Sequence, residues 1–174
     1  MTRQRKRIAD TWTTERADPV ESVSRMLVRS SYRVPVEGKG SAPGLQPSDV
    51  AGALAFLRDP LQRETAVAVA TRAPREDIAR LTLMAYHRVA TAIRHQRGER
   101  LLDLRKPEDR FRLRIVVFDA ANELVWPERR RPFYAMAKAA KMRRAIYAAA
   151  FRLAYIELER ALTDAGVNLR GHIG

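Results

Sequence analysis

The residues able to do chemistry are few, and their spacing argues against most reactions. Histidine occurs three times, at His87, His95 and His172, and no pair has the i, i+4 spacing that lets two imidazoles on one helix face share a metal. His87 and His95 stand eight apart, so on a helix they point in similar directions two turns separated, and they read as ordinary surface or partly buried residues. The absence of cysteine removes disulfides, thiol nucleophiles and Cys-based zinc sites. No glycine-rich phosphate loop, GxGxxG or GxSxG motif occurs. Glu37-Gly38-Lys39 is an E-x-K triplet of the kind some nucleases use, but it lies in a Gly/Pro-rich stretch. Glu108-Asp109 reads as negative charge at a helix N-terminus, where it complements the macrodipole, rather than as an acid pair for catalysis. The expectation is therefore a protein that is not an enzyme and needs neither metal nor cofactor.

The chemistry that the sequence does favour is electrostatic. The 174 residues carry 33 Lys+Arg against 20 Asp+Glu, a net charge of +13. Nearly all of the cations are arginine; only Lys6, Lys39, Lys106, Lys138 and Lys141 are lysine. A GC-rich coding sequence explains arginine over lysine, but not basic over acidic. An excess of this size favours acidic partners, nucleic acid above all, and arginine pairs bidentately with phosphate and with guanine edges. The basic residues cluster at two places. Residues 1–16 hold Arg3, Arg5, Lys6, Arg7 and Arg16 against Asp10 and Glu15. Residues 127–147 hold Arg129, Arg130, Arg131, Lys138, Lys141, Arg143 and Arg144 against Glu128 alone. Between 94 and 114 the cations are interleaved with Glu99, Asp103, Glu108 and Asp109, the pattern of a salt-bridged, solvated surface.

The elements that must position these residues read as helices, which gives an all-α fold. Asp18-Pro19-Val20-Glu21 has the form of a helix start, and that helix would end near Arg33. The segment 34–47 has three Gly and three Pro after Val34 and reads as a linker. Ser48 can cap a short helix carrying Val50, Leu54 and Leu57. Asp59-Pro60 opens another that runs through Thr71, and Pro74 opens a longer one with Ile78, Leu81, Ala85, Val89 and Ala92 at helical spacing, closed by Gly98. Pro107 starts the next. Arg110–Ile115 alternates like a half-buried strand, yet no second strand exists to pair with it and Phe111, Ile115, Phe118 and Val125 share one helical face, so a helix is preferred. Trp126-Pro127 ends it. Pro132 then opens a stretch from Phe133 to Ala165, closed by Gly166. It carries two apolar stripes, Ile146/Ala149/Leu153/Ile156 and Tyr147/Phe151/Leu158/Leu162, an arc wide enough for a central helix touched by several neighbours.

Within that stretch, Phe133–Met142 followed by Arg143–Leu162 resembles the helix-turn-helix that closes sigma-factor region 4 and phage transcription regulators. The resemblance implies a supporting helix over 133–140, Ala137 where the two helices cross, and Met142 as the apolar residue of the turn. Ile146 or Tyr147 would pack the recognition helix inward, and Arg143 and Arg144 would lead it into the major groove with Ala148 and Arg152 farther along. Two positions depart from the pattern. Lys141 stands where a glycine usually allows positive φ, and Arg143 stands where Ser, Thr or Asp usually caps the second helix. One uninterrupted helix over 133–164 is the alternative. More broadly, the basic stretch Arg129–Arg144 and the run MAKAAKMRRAIYAAAFRLAYIELERAL at 136–162 are similar to phage antitermination proteins of the Q type. That likeness implies DNA contact by Arg143, Arg144 and their neighbours, and RNA polymerase as a partner.

The expected organisation is a basic arm plus helix at 1–33, a linker at 34–47, a helical domain at 48–166 with a helix-turn-helix-like unit at about 133–162, and a tail at 167–174. The expected function is a cytoplasmic DNA-binding transcription regulator, with DNA preferred over RNA, no membrane partner and an oligomer open. Its nucleic-acid contacts would be Arg129, Arg130, Arg131, Lys138, Lys141, Arg143, Arg144 and Arg152, joined by Arg3, Arg5, Lys6 and Arg7 of the arm. An assembly protein, such as a helical phage morphogenesis subunit with a basic face toward nucleic acid, is the alternative, and a metal-dependent nucleic-acid enzyme stands third.

Overall fold

The structure, a computed structural model, describes residues 47–96 and 101–173. The arm, its helix and nearly all of the linker expected over 1–47, together with Gly98, lie outside the described residues. Among the described residues there is no strand, and six α-helices follow one another: α1 (Pro47–Phe56), α2 (Pro60–Thr71), α3 (Arg75–His95), α4 (Pro107–Val125), α5 (Phe133–Ala139) and α6 (Arg144–Ile173). A single 3-10 turn, Pro127–Arg129, leads out of α4. The region 110–118, ambiguous by its alternation, is helical.

Local chemistry accounts for the helix starts. Asp59 caps α2, its carboxylate accepting from the Leu61 N–H at 3.0 Å, with Pro60 preset in the first turn. The other Asp59 oxygen receives Arg88, which ties the start of α2 to α3. Pro107 opens α4 with Glu108 and Asp109 in its first turn. Asp109 accepts from the Asp103 N–H at 3.0 Å and pairs with Arg112 at 2.7 Å, so it organises the α3–α4 connection as a structural acid.

α6 is the axis of the fold: α4, α2, α3, α5 and α1 all pack on it. Its buried apolar side chains are Tyr147, Ala150, Phe151, Ala154, Leu158, Ala161, Ala165 and Leu169, which run down one side of the helix. The larger core joins α6 to α3, α4 and α5, and a smaller one joins its last turns to α1 and α2 through Ala53, Leu57, Ala66 and Ala70. Half of the buried apolar residues are alanines, which let helix axes approach closely and leave little room for any change in volume.

Three expectations are corrected. The helix does not stop at Gly166: α6 continues to Ile173, because Ala165 and Leu169 on either side are held in the smaller core, and that packing outweighs glycine's weak helix propensity. Of the two stripes on α6, the one with Tyr147, Phe151 and Leu158 is buried, whereas Ile156 is 49% exposed. On α4 the buried face is Leu113, Val116, Val117, Ala120, Ala121 and Val125, and Phe111 is 63% exposed. α4 is sandwiched between α3 and α6, so its buried arc is wider than, and rotated from, the stripe its large residues suggest.

Candidate nucleic-acid interface

The segment 133–173 is two helices. α5 ends at Ala139 and α6 begins at Arg144, so the single long helix is excluded. The break is a Schellman turn: the Met142 N–H donates to the Ala137 carbonyl at 2.9 Å and the Lys141 N–H to the Lys138 carbonyl at 3.1 Å. Lys141 takes φ 52°, the left-handed conformation for which glycine is the usual choice. Its charge lies at the carbonyl end of α5, where a cation is favoured. Arg143 is the residue whose carbonyl accepts the first bond of α6, from the Tyr147 N–H at 2.9 Å. Arg143 has no side-chain acceptor, so it cannot cap this helix start as Ser, Thr or Asp would.

The unit is fixed from behind. Ala137 and Met136 are buried, Met142 packs against the core, and Tyr147 is fully buried. The Tyr147 hydroxyl donates to Asp119 at 2.7 Å, and Arg131 pairs with the other Asp119 oxygen at 3.1 Å. Burial and the adjacent Asp119 carboxylate, which accepts the phenol's hydrogen bond, both push the Tyr147 ionisation far above the ordinary tyrosine value. Phe133 and Phe151 complete the packing of α5 on α6 with ring centres 5.0 Å apart. With these residues turned inward, Lys138, Lys141, Arg143, Arg144 and Arg152 are left exposed, and among the described residues none of the five has an ion-pair partner. Arg144, Ala148 and Arg152 recur every fourth residue and so share one face of α6.

The run Arg129–Arg131 is placed differently. Arg130 pairs with Glu123 at 3.3 Å and Arg131 with Asp119, both acids that precede the basic stretch in sequence. The Arg129 guanidinium lies 3.9 Å from the ring centre of Trp126. Arg129 and Arg131 line a cleft of about 620 Å³ together with Arg72 and Arg75, two cations that the clustering along the sequence does not reveal. Arg72 follows α2 at φ 53°, donates to the Val125 carbonyl at 2.9 Å and pairs with Glu128 at 3.1 Å. A hydrogen bond to its own backbone, with Arg72 and Arg129 nearby, holds the Glu128 carboxyl below its ordinary value. Arg3, Arg5, Lys6 and Arg7 lie outside the described residues. Among the described residues of the interleaved stretch 94–114, Asp109 pairs with Arg112; Arg97, Glu99 and Arg100 lie outside the described residues. His87 and His95 are exposed, and among the described residues no group of His, Cys, Asp or Glu is placed to hold a metal ion. No helix among the described residues is long and apolar enough to cross a membrane.

No protein-family model, no curated protein and no solved structure matches the chain.

Proposed function

We propose that the protein is a DNA-binding transcription regulator that presents α5 and α6 as a helix-turn-helix, with the start of α6 in the major groove. The observation that carries this reading is the five-cation surface of Lys138, Lys141, Arg143, Arg144 and Arg152, exposed and unpaired among the described residues on two helices joined by a tight turn. Arg143 and Arg144 stand at the N-terminal end of α6, where phosphates and base edges are met first. Arg152 lies two turns farther on the face of Arg144, in reach of the flanking backbone. Lys138 and Lys141 on the supporting helix and turn supply phosphate contacts that set orientation rather than sequence. A narrower form of this reading, a phage late-gene antiterminator acting through RNA polymerase, rests on the sequence resemblance alone.

Selection from a random duplex pool at two salt concentrations tests the reading. A regulator enriches one motif and keeps residual affinity at the higher salt. Arg143→Ala/Arg144→Ala then abolishes that preference, each lost base contact costing about 1–3 kcal/mol. If the double variant binds the selected site as well as the parent, the recognition surface lies elsewhere. Binding without enrichment that collapses as salt rises is phosphate neutralisation alone and favours the assembly protein.

A further inference from the structure

The cleft beside Trp126 is separate from the α5–α6 surface and is built from parts of the chain far apart in sequence. Its floor and walls come from the α2–α3 turn (Arg72, Pro74, Arg75), from α4 (Phe118, Asp119, Asn122) and from the 3-10 turn and its exit (Arg129, Arg131). Four arginines line it, and each guanidinium is held in place. Arg72 is anchored by the Val125 carbonyl, Glu128 and the Trp126 face at 5.4 Å, Arg75 lies 5.6 Å over Phe118, Arg129 stacks on Trp126, and Arg131 is held by Asp119. Trp126 is itself fixed, its indole N–H donating to the Ala73 carbonyl at 3.0 Å. Stacking a guanidinium on a ring orients its plane and leaves edge N–H donors for an anion, at a smaller ordering cost than a mobile side chain would carry. Asp119 in the cleft is paired with Arg131 and the neighbouring Glu128 with Arg72, so among the described residues Arg75 and Arg129 make no ion pair, although the charge of Arg129 is felt by Glu128.

We propose that this cleft is a binding site for a nucleotide phosphate. Paired arginine forks match the oxygens of a phosphate, with Arg75 and Arg129 as its primary holders. A volume of about 620 Å³ exceeds what inorganic phosphate fills, and Phe118 and Pro74 provide apolar wall for a flat base. Asn122 offers a carbonyl and an amide to the base edge. The occupant is either a free mononucleotide or the phosphorylated end of a strand, and both present the same chemistry. The site does not rest on the duplex-binding reading of α5 and α6.

The tryptophans of the chain are Trp12 and Trp126, so Trp12→Phe leaves Trp126 as the sole reporter at the cleft. In that background, inorganic phosphate, adenosine 5′-monophosphate and adenosine are titrated by fluorescence, with calorimetry in parallel. Saturable binding of the monophosphate, tighter than that of inorganic phosphate and absent for adenosine, is expected. Arg75→Ala/Arg129→Ala strands no carboxylate and keeps the thermal transition, yet weakens the monophosphate at least about tenfold, since each charge-assisted contact contributes on that scale. Arg143→Ala/Arg144→Ala leaves this affinity unchanged, which separates the cleft from the duplex surface. Competition by a 5′-phosphorylated single strand, but not by its 5′-hydroxyl counterpart, assigns the occupant to a strand end, and competition by neither assigns it to a free nucleotide. Lack of saturation by any phosphate-bearing probe, equal binding of adenosine, or full affinity in the Arg75/Arg129 variant overturns the proposal.

Discussion

Replacing Asp119 by alanine removes the acceptor on which the start of α6 is hung. Asp119 is 7% exposed and Tyr147 wholly buried, and their 2.7 Å hydrogen bond connects α4 to the first turn of α6. In Asp119→Ala the phenol has no partner, and an orphaned buried hydroxyl costs about 1–3 kcal/mol. Loss of the Arg131 pair adds at most about 1 kcal/mol, because a mostly exposed arginine is screened by solvent. A total near 2–3 kcal/mol is therefore expected. Tyr147→Phe leaves Asp119 with Arg131 still attached and costs about 1–2 kcal/mol, the scale of one hydrogen bond to a charged acceptor. The decisive quantity is the coupling. In Tyr147→Phe/Asp119→Ala neither partner is stranded, so the double variant loses less than the sum of the singles by about 1–2 kcal/mol. Urea unfolding followed by circular dichroism measures all four proteins, and a constant m-value shows that stability alone has changed. A loss below about 0.5 kcal/mol in Asp119→Ala, the range of an ordinary surface substitution, or strict additivity in the cycle, would refute the reasoning.

Alkaline pH probes the same contact. The folded protein keeps the Tyr147 proton above pH 10.0, the ordinary tyrosine value, while the unfolded chain releases it there. This stabilisation is intact below that pH and declines as pH rises past it, by up to about 1.4 kcal/mol per pH unit, so the falling limb is shallower in Tyr147→Phe, where only the smaller contribution of Tyr155 is left, when the two are compared by urea melts. Lys141→Gly relieves a left-handed residue at φ 52° and is expected to raise stability by about 0.5–1 kcal/mol, while duplex binding loses close to one phosphate contact from its salt slope. A lower melting temperature for that variant would contradict the conformation assigned to the turn.

Helix starts were legible where the signal is local. Asp59-Pro60 and Pro107-Glu108-Asp109 name a cap, a preset φ and a dipole complement within three residues, and the structure uses them in those roles. What failed depends on neighbours. Phe111 and Ile156 look like core because they are large, but burial on α4 is carried largely by alanine and valine, which contribute little to an apolar stripe read by size, and on α6 by the adjacent stripe of Tyr147, Phe151 and Leu158 with intervening alanines. Gly166 reads as a stop because its propensity is poor, yet α1 and α2 hold the residues on both sides of it. Lys141 illustrates the opposite error: a lysine there argues against a turn by propensity, and the 6→1 bond from Met142 to Ala137 closes one regardless.

Charge was legible as a total and misleading as a local count. Within 127–147 only Glu128 opposes seven cations, which makes Arg129–Arg131 look as free as Arg143 and Arg144. Helical geometry brings Asp119 and Glu123 back from α4 to neutralise Arg131 and Arg130, and Glu128 reaches across 56 residues to Arg72. The basic run thus divides into two parts with different physics. Lys138, Lys141, Arg143, Arg144 and Arg152 are exposed and, among the described residues, without an ion pair, which is the surface the proposed duplex contact would use. Arg129 and Arg131 join Arg72 and Arg75 in a concavity where stacking and paired acids fix each guanidinium, suited to a single phosphate of defined position. A window along the sequence cannot make that distinction, because the two added arginines lie more than fifty positions away and only the α2–α3 turn brings them to Trp126.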